Sequence, residues 1–334
     1  MTRNNIRHIQ LPSLPASWNQ LSAKQLEEVN RLMQEMQQAK LPSQEAEPLF
    51  KLKCFLLFLD LKVTSSAKTN EQGETVFFLR RKGWRYLTER LPICAWQVTQ
   101  WVDEKLKFMN TLTGRLLSPY PYIWVRMGTL KLKGPDDLLA NLTFHQYLSA
   151  QNLLASYWSQ LEALQKLSEE NGSRKEMRRI AKQLKELRCY FLAVLFNESV
   201  RISGEIREGR YVRSVQKKVW TYTETQGQRN ARYFRGVEHR VFPVMLQFFQ
   251  SVQVYYAQMF PDLYTESSDS GKKRSQMQIE VEMINNVMKY QGFTDYDSVY
   301  GSEAIRILEI MNRMSHEARE IEKMNQKYAA NNKK

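Results

Sequence analysis

In the second of two helical segments within 276–328, residues 304–328 repeat in alternating steps of three and four, a spacing that commits a chain to helix. Ala304, Ile307, Met311, Met314, Ala318 and Ile321 form the series, which continues to Asn325 and Tyr328. Such a heptad seam keeps one helical face against another helix, in the same chain or in a different one. The local candidate is the preceding segment with Ile279, Met283, Ile284 and Val287, joined through the aromatic, glycine-punctuated stretch 290–301. A helical hairpin with this neighbour needs no second chain. The competing reading is an association helix, since the seam carries methionines, outruns its neighbour and places Asn325 where coiled coils set register.

Upstream, helical signals dominate. Ser22 with Gln25 and Thr143 with Gln146 are capping-box pairs, the first opening onto Leu26, Val29, Met33 and Met36. Pro48 opens an apolar helical run to about Leu61, and residues 65–74 read as a polar hinge. Two β-favouring runs around Arg81-Lys82-Gly83 predict a hairpin, and Pro92 is expected to start the next helix. A second extended stretch covers 120–132, and Asp136-Asp137 reads as turn capping. Ser173 and Glu176 begin a helix that runs through Phe196, and another spans 241–259. Residues 197–236 fit either a long hairpin or a loop, and 267–274 read as a linker. The expected fold is mainly α (α+β), with helical, bundle-like domains and one or two small antiparallel β elements in the N-terminal half. The predicted division is 1–167, an α+β domain; 168–266, a helical domain with basic loop 197–236; and 267–334, a helical hairpin and tail.

Charge separates the functional options. The chain carries 49 Lys and Arg against 35 Asp and Glu, a net +14. Between Lys166 and Arg240 there are 18 basic residues and 9 acidic ones. In that stretch Arg229, Arg232 and Arg235 interleave with Tyr233 and Phe234, a mixture that can neutralise phosphates and stack bases. The same residues also suit a solvated surface with inward-packed aromatics. The four histidines lack metal-ligand spacing, and no glycine-rich phosphate loop or nucleophile elbow occurs. No catalytic, cofactor or metal residue is therefore nominated, and a non-enzymatic protein is expected. Cys54, Cys94 and Cys189 sit in apolar contexts, as buried thiols in a reducing compartment do. The greasiest run, residues 54–63, is far too short to span a bilayer. A cytoplasmic protein is expected.

The opening Leu14-Pro-Ala-Ser-Trp-Asn-Gln-Leu-Ser-Ala-Lys-Gln-Leu resembles the start of phage and prophage structural-module proteins. Met283-Ile-Asn-Asn-Val-Met-Lys-Tyr-Gln-Gly-Phe and Ser302-Glu-Ala-Ile-Arg-Ile-Leu-Glu-Ile-Met resemble the helical end of tail-assembly chaperones. That resemblance implies a helper that binds the tape-measure protein and keeps its hydrophobic helices soluble until the tail tube polymerises. The residues expected to meet such a partner are Ile307, Met311, Met314 and Ile321. A basic nucleic-acid-binding accessory protein, acting through Arg229, Arg232 and Arg235, is the alternative.

Overall fold

The computed structural model describes residues 13–39, 42–69, 73, 75–86, 91–111, 113–125, 128–170, 172–208, 211–264 and 276–331. The expected linker 267–274 lies outside them. Among the described residues the protein is mainly helical, and the strands form three small antiparallel sheets. Contacts divide it into two compact units, residues 1–115 and 116–334.

In the first unit, α1 (Ala23–Gln38) starts at a capping box in which Ser22 and Gln25 satisfy each other's backbone N–H groups. It buries Leu26, Val29 and Leu32, leaving Met33 and Met36 half-buried. α2 (Ser43–Phe58) buries Cys54, Phe55 and Phe58. Asp60 then takes a left-handed conformation at φ 53°, which turns the chain sharply into β1 (Leu61–Thr69). β1 pairs with β2 (Thr75–Arg81), and β2 with β3 (Leu91–Cys94), all antiparallel. Two sequence expectations are corrected here. The stretch expected as a hinge from residue 65 is strand as far as Thr69, because its backbone pairs with β2. Pro92 lies in β3, opposite Phe78, and α3 (Ala95–Lys105) begins three residues later. The hairpin expected around Arg81-Lys82-Gly83 is formed by β2 and β3, its second strand beginning only after a short 3-10 turn at Trp84–Tyr86.

A buried indole closes this unit. Trp18 donates from Nε1 to the Thr111 carbonyl at 2.8 Å and receives the edge of Phe108, ring centres 5.3 Å apart. Buried Arg115 donates from Nη1 to the carbonyls of Trp18 (2.5 Å) and Leu21 (2.8 Å), so its charge sits among backbone dipoles.

The second unit opens with a hairpin, β4 (Tyr122–Val125) and β5 (Leu130–Lys133), in the stretch read as extended. Gly134 follows, and no other residue fits there: a Cβ would lie 1.9 Å from the Tyr120 carbonyl oxygen. α4 (Phe144–Glu169) begins at the Thr143–Gln146 capping box and packs along α5 (Arg174–Leu195). That pairing joins residues on either side of the expected break at 167/168, so both helices belong to one unit. Gln146 is buried and also donates from Nε2 to the Val194 carbonyl at 2.7 Å and Asn197 Oδ1 at 2.9 Å. The Asn197 backbone in turn exchanges two hydrogen bonds with Lys133. One side chain thus ties the start of α4, the end of α5 and the edge of the hairpin together.

Residues 197–236, left open by the sequence, resolve into a ribbon and a helix. β6 (Glu198–Glu208) pairs with β7 (Tyr211–Thr221) in unbroken register. α6 (Glu224–Ala231) follows, capped by Thr223. α7 (Glu238–Met259) is the buried helix of the unit. Its Phe242 and Phe249 meet Phe191 of α5 edge-on at 5.5 and 5.6 Å, and Tyr147 of α4 stacks on Phe249 at 5.7 Å. A short α8 (Pro261–Tyr264) ends this run. The remaining helices are α9 (Gln276–Gln291), α10 (Tyr296–Gly301) and α11 (Ala304–Asn331). No helix among the described residues is long and apolar enough to cross a membrane.

Candidate functional site: the outer end of the last helix

α10 decides how the seam is used. Tyr296 donates to Asn285 Oδ1 at 2.7 Å and Tyr300 to Glu280 Oε1 at 2.9 Å, so α10 runs back along α9. α11 therefore starts near the first half of α9, and Tyr290, at its far end, reaches Glu317 at 2.6 Å. The two long helices run in the same general direction. The expected hairpin of two antiparallel helices is corrected to a three-helix turn, because α10 spends one reversal of its own.

The seam divides into three zones. At its start, Ala304 donates its backbone N–H to the Leu142 carbonyl at 2.9 Å, and Ala304 and Ile307 are fully buried. Leu308 and Ile310 are buried with them, as are Ile284 and Val287 of α9, a helix that α11 contacts. In the middle, Met311 and Met314 are half-buried. Here α8 takes over: Asn312 Oδ1 accepts from the Leu263 N–H at 3.1 Å, and Arg319 donates to Asp262 Oδ1 at 2.6 Å. Past Arg319 every described side chain is exposed, including Ile321 (55 %), Met324 (50 %) and Tyr328 (69 %).

Of the four residues expected to meet a partner, the structure therefore separates Ile307 from the rest. It is core, and a residue with no accessible surface cannot be a docking contact. Met311 and Met314 are shared between core and surface, and Ile321 is presented to solvent. Met324 was not singled out from the sequence, because it lies one position off the seam. The three-residue step from Ile321 to Met324 is the signal that would have found it.

Electrostatics around the outer end are modest. Glu320 and Lys323 form an exposed pair at 2.9 Å that holds the carboxyl below, and the ammonium above, their ordinary values. The hydrogen bond from Tyr290 to Glu317 raises the phenol. His316 Nδ1 lies 3.1 Å from Asp262 Oδ2.

Comparison with known protein families, with curated proteins and with solved structures found no match to this chain.

The basic candidates stand apart from this helix. Arg229, on α6, makes a close ion pair with Glu198 of β6. Arg232 and Arg235, in and just after the following 3-10 turn, are exposed. Among the described residues no three His, Cys, Asp or Glu side chains gather as a metal site. Burial pushes the thiols up, Cys54 to about 12 and Cys189 to about 11, away from nucleophilic chemistry.

A second apolar surface belongs to the first unit. Leu52 and Leu56 of α2, Val63 and Phe77 of the sheet, and Val98 and Val102 of α3 line an open cleft of about 360 Å³. Asp103 is the charged residue on its lining. Sequence reading missed it, since the cleft needs β1 to pair with β2, whose partners lie 6–20 residues further along the chain.

Proposed function

We propose that the protein is a non-enzymatic assembly helper that acts in the cytoplasm and binds a hydrophobic helical segment of another protein. The observation that carries this reading is the exposure of Ile321, Met324 and Tyr328 on a helix whose inner half is core. A helix that needed its seam only for its own fold would end where the cover ends. Instead it continues in regular helix for twelve residues past Arg319. Ridges of apolar side chains at such spacing are what helix-to-helix recognition uses. The resemblance of the terminal segments to tail-assembly chaperones makes a tape-measure-like protein, rich in long hydrophobic helices, the partner of choice.

The test is co-expression with a tape-measure protein, followed by affinity purification through a tag on the proposed helper. Co-purification that is lost in Ile321→Asp, with an unchanged melting temperature, supports the proposal. Retention of the partner by that variant removes α11 from the mechanism.

A second reading, polyanion contact, rests on exposed Arg232 and Arg235. It is weakened by Arg229, whose guanidinium is already engaged by Glu198.

A further inference from the structure

The borders of the exposed seam state which kind of helix it can accept. With Ala318 and Asn325 at a and Ile321 and Tyr328 at d, the flanking g positions hold Glu317 and Met324, and the e position holds Glu322. All five of Ala318, Ile321, Glu322, Met324 and Tyr328 are exposed, as is Glu317. Each charged flank is therefore acidic, although the whole chain is strongly basic. Glu317 accepts the Tyr290 hydroxyl, a neutral donor that leaves its charge in place.

Two copies of this helix would pair badly. In a parallel pair, g of one helix meets e of the next heptad on its partner, which sets Glu317 against Glu322 twice. In an antiparallel pair centred on the exposed segment, Glu322 meets Glu322 of the other copy. Either arrangement brings carboxylates together as the seam closes, and like charges at these positions select against a pairing. A helix bearing Lys or Arg at its e and g positions meets the opposite situation, with every flank complementary.

We infer that the outer end of α11 takes a helix whose apolar stripe is bordered by Lys or Arg, and that it excludes a second copy of itself. This rests on the proposed helper function and names the chemistry of the partner. Asn325, at an a position within the stripe, favours a register in which a polar residue of the partner lies opposite it.

The experiment uses the full-length protein and two synthetic four-heptad peptides with Ile at a and Leu at d. One carries Lys, the other Glu, at every e and g position. Binding is measured by anisotropy at about 0.15 M salt, where charges farther than about 8 Å are screened and the overall positive charge contributes little. The Lys peptide is expected to bind about fivefold more tightly than the Glu peptide, a difference of the size that a few exposed charge pairs give. Glu322→Lys should shrink that ratio, and higher salt should shrink it further. Sedimentation of the protein alone should show no dimer that Ile321→Asp abolishes. Equal binding of both peptides, lost in Ile321→Asp, overturns the charge inference and leaves the helper reading standing. Such a dimer overturns the exclusion of a second copy. Failure of both peptides to bind overturns the two together.

Discussion

Arg319 donates from Nη1 to Asp262 Oδ1 at 2.6 Å and from Nη2 to the Asp262 carbonyl at 2.8 Å. Both groups are partly exposed, and the pair joins α11 to α8 across 57 positions of sequence. It marks the place where α11 stops being core and becomes surface. Asp262→Ala should cost about 1 kcal/mol, the lower part of the range for charge-assisted hydrogen bonds because water screens this one. Hydrogen exchange is the decisive readout: protection should fall from Met311 onward and hold at Ile307. Uniform loss along the helix would mean that the contact supports the whole unit.

Aspartate substitutions should split the seam in two. Ile307→Asp places a charge where no solvent reaches, so the second unit should lose its cooperative thermal transition. Ile321→Asp and Met324→Asp alter exposed positions and should change stability by no more than about 0.5 kcal/mol. Thermal denaturation of the three variants checks this, and strong destabilisation by Ile321→Asp would show that its side chain is covered in solution.

Gln146 combines a capping role with two buried hydrogen bonds to Val194 and Asn197. Gln146→Ala strips the donors from two buried acceptors, and a loss of about 2–4 kcal/mol is expected. Glutamate at this position should be worse than alanine, because it replaces a donating amide with a carboxylate facing a carbonyl. Urea unfolding of both variants gives the order.

Alkaline conditions should destabilise the fold. Burial raises Cys54 to about 12 and Cys189 to about 11 from ordinary values of 9.0, and Tyr256 to about 12 from 10.0. These groups stay protonated in the folded chain while the unfolded chain ionises, so folding holds more protons there. Their contribution is fully present below pH 9 and is lost as pH rises from about 9 to 12. The midpoint of urea unfolding should fall across that window and stay level between pH 7 and 8.5. Thiol labelling at pH 8 should reach half-buried Cys94 first, leaving Cys54 and Cys189 until unfolding.

Arg232→Glu together with Arg235→Glu tests the polyanion reading. Single-stranded oligonucleotide binding that weakens steeply with salt, and that these changes reduce, would favour it. Absence of binding at low salt would remove it.

What the sequence made legible was local. Ser22 with Gln25 and Thr143 with Gln146 lie three residues apart, so a cap can be read without knowing the fold. The helices they start follow from the same spacing rules, as does the mainly helical class. Contacts between distant residues were not legible. β1 read as a hinge because Ser65 and Ser66 are polar, and only its pairing with β2 makes it a strand. The direction of α11 depends on Tyr296 and Tyr300 reaching back to α9, two hydroxyl contacts with no sequence signature. The candidate site was half visible: the heptad spacing named Ile307 and Ile321 alike, and burial alone tells them apart.

The three-helix turn has a consequence for how this chain can change. A second helix running beside α11 to its tip would tie every alteration of the outer seam to a matching alteration in its neighbour. Here α10 consumes the reversal, and α9 ends at Gln291, with Tyr290 meeting Glu317. The last three turns of α11 can therefore accept new side chains one at a time, and foldedness imposes almost no veto on which ones.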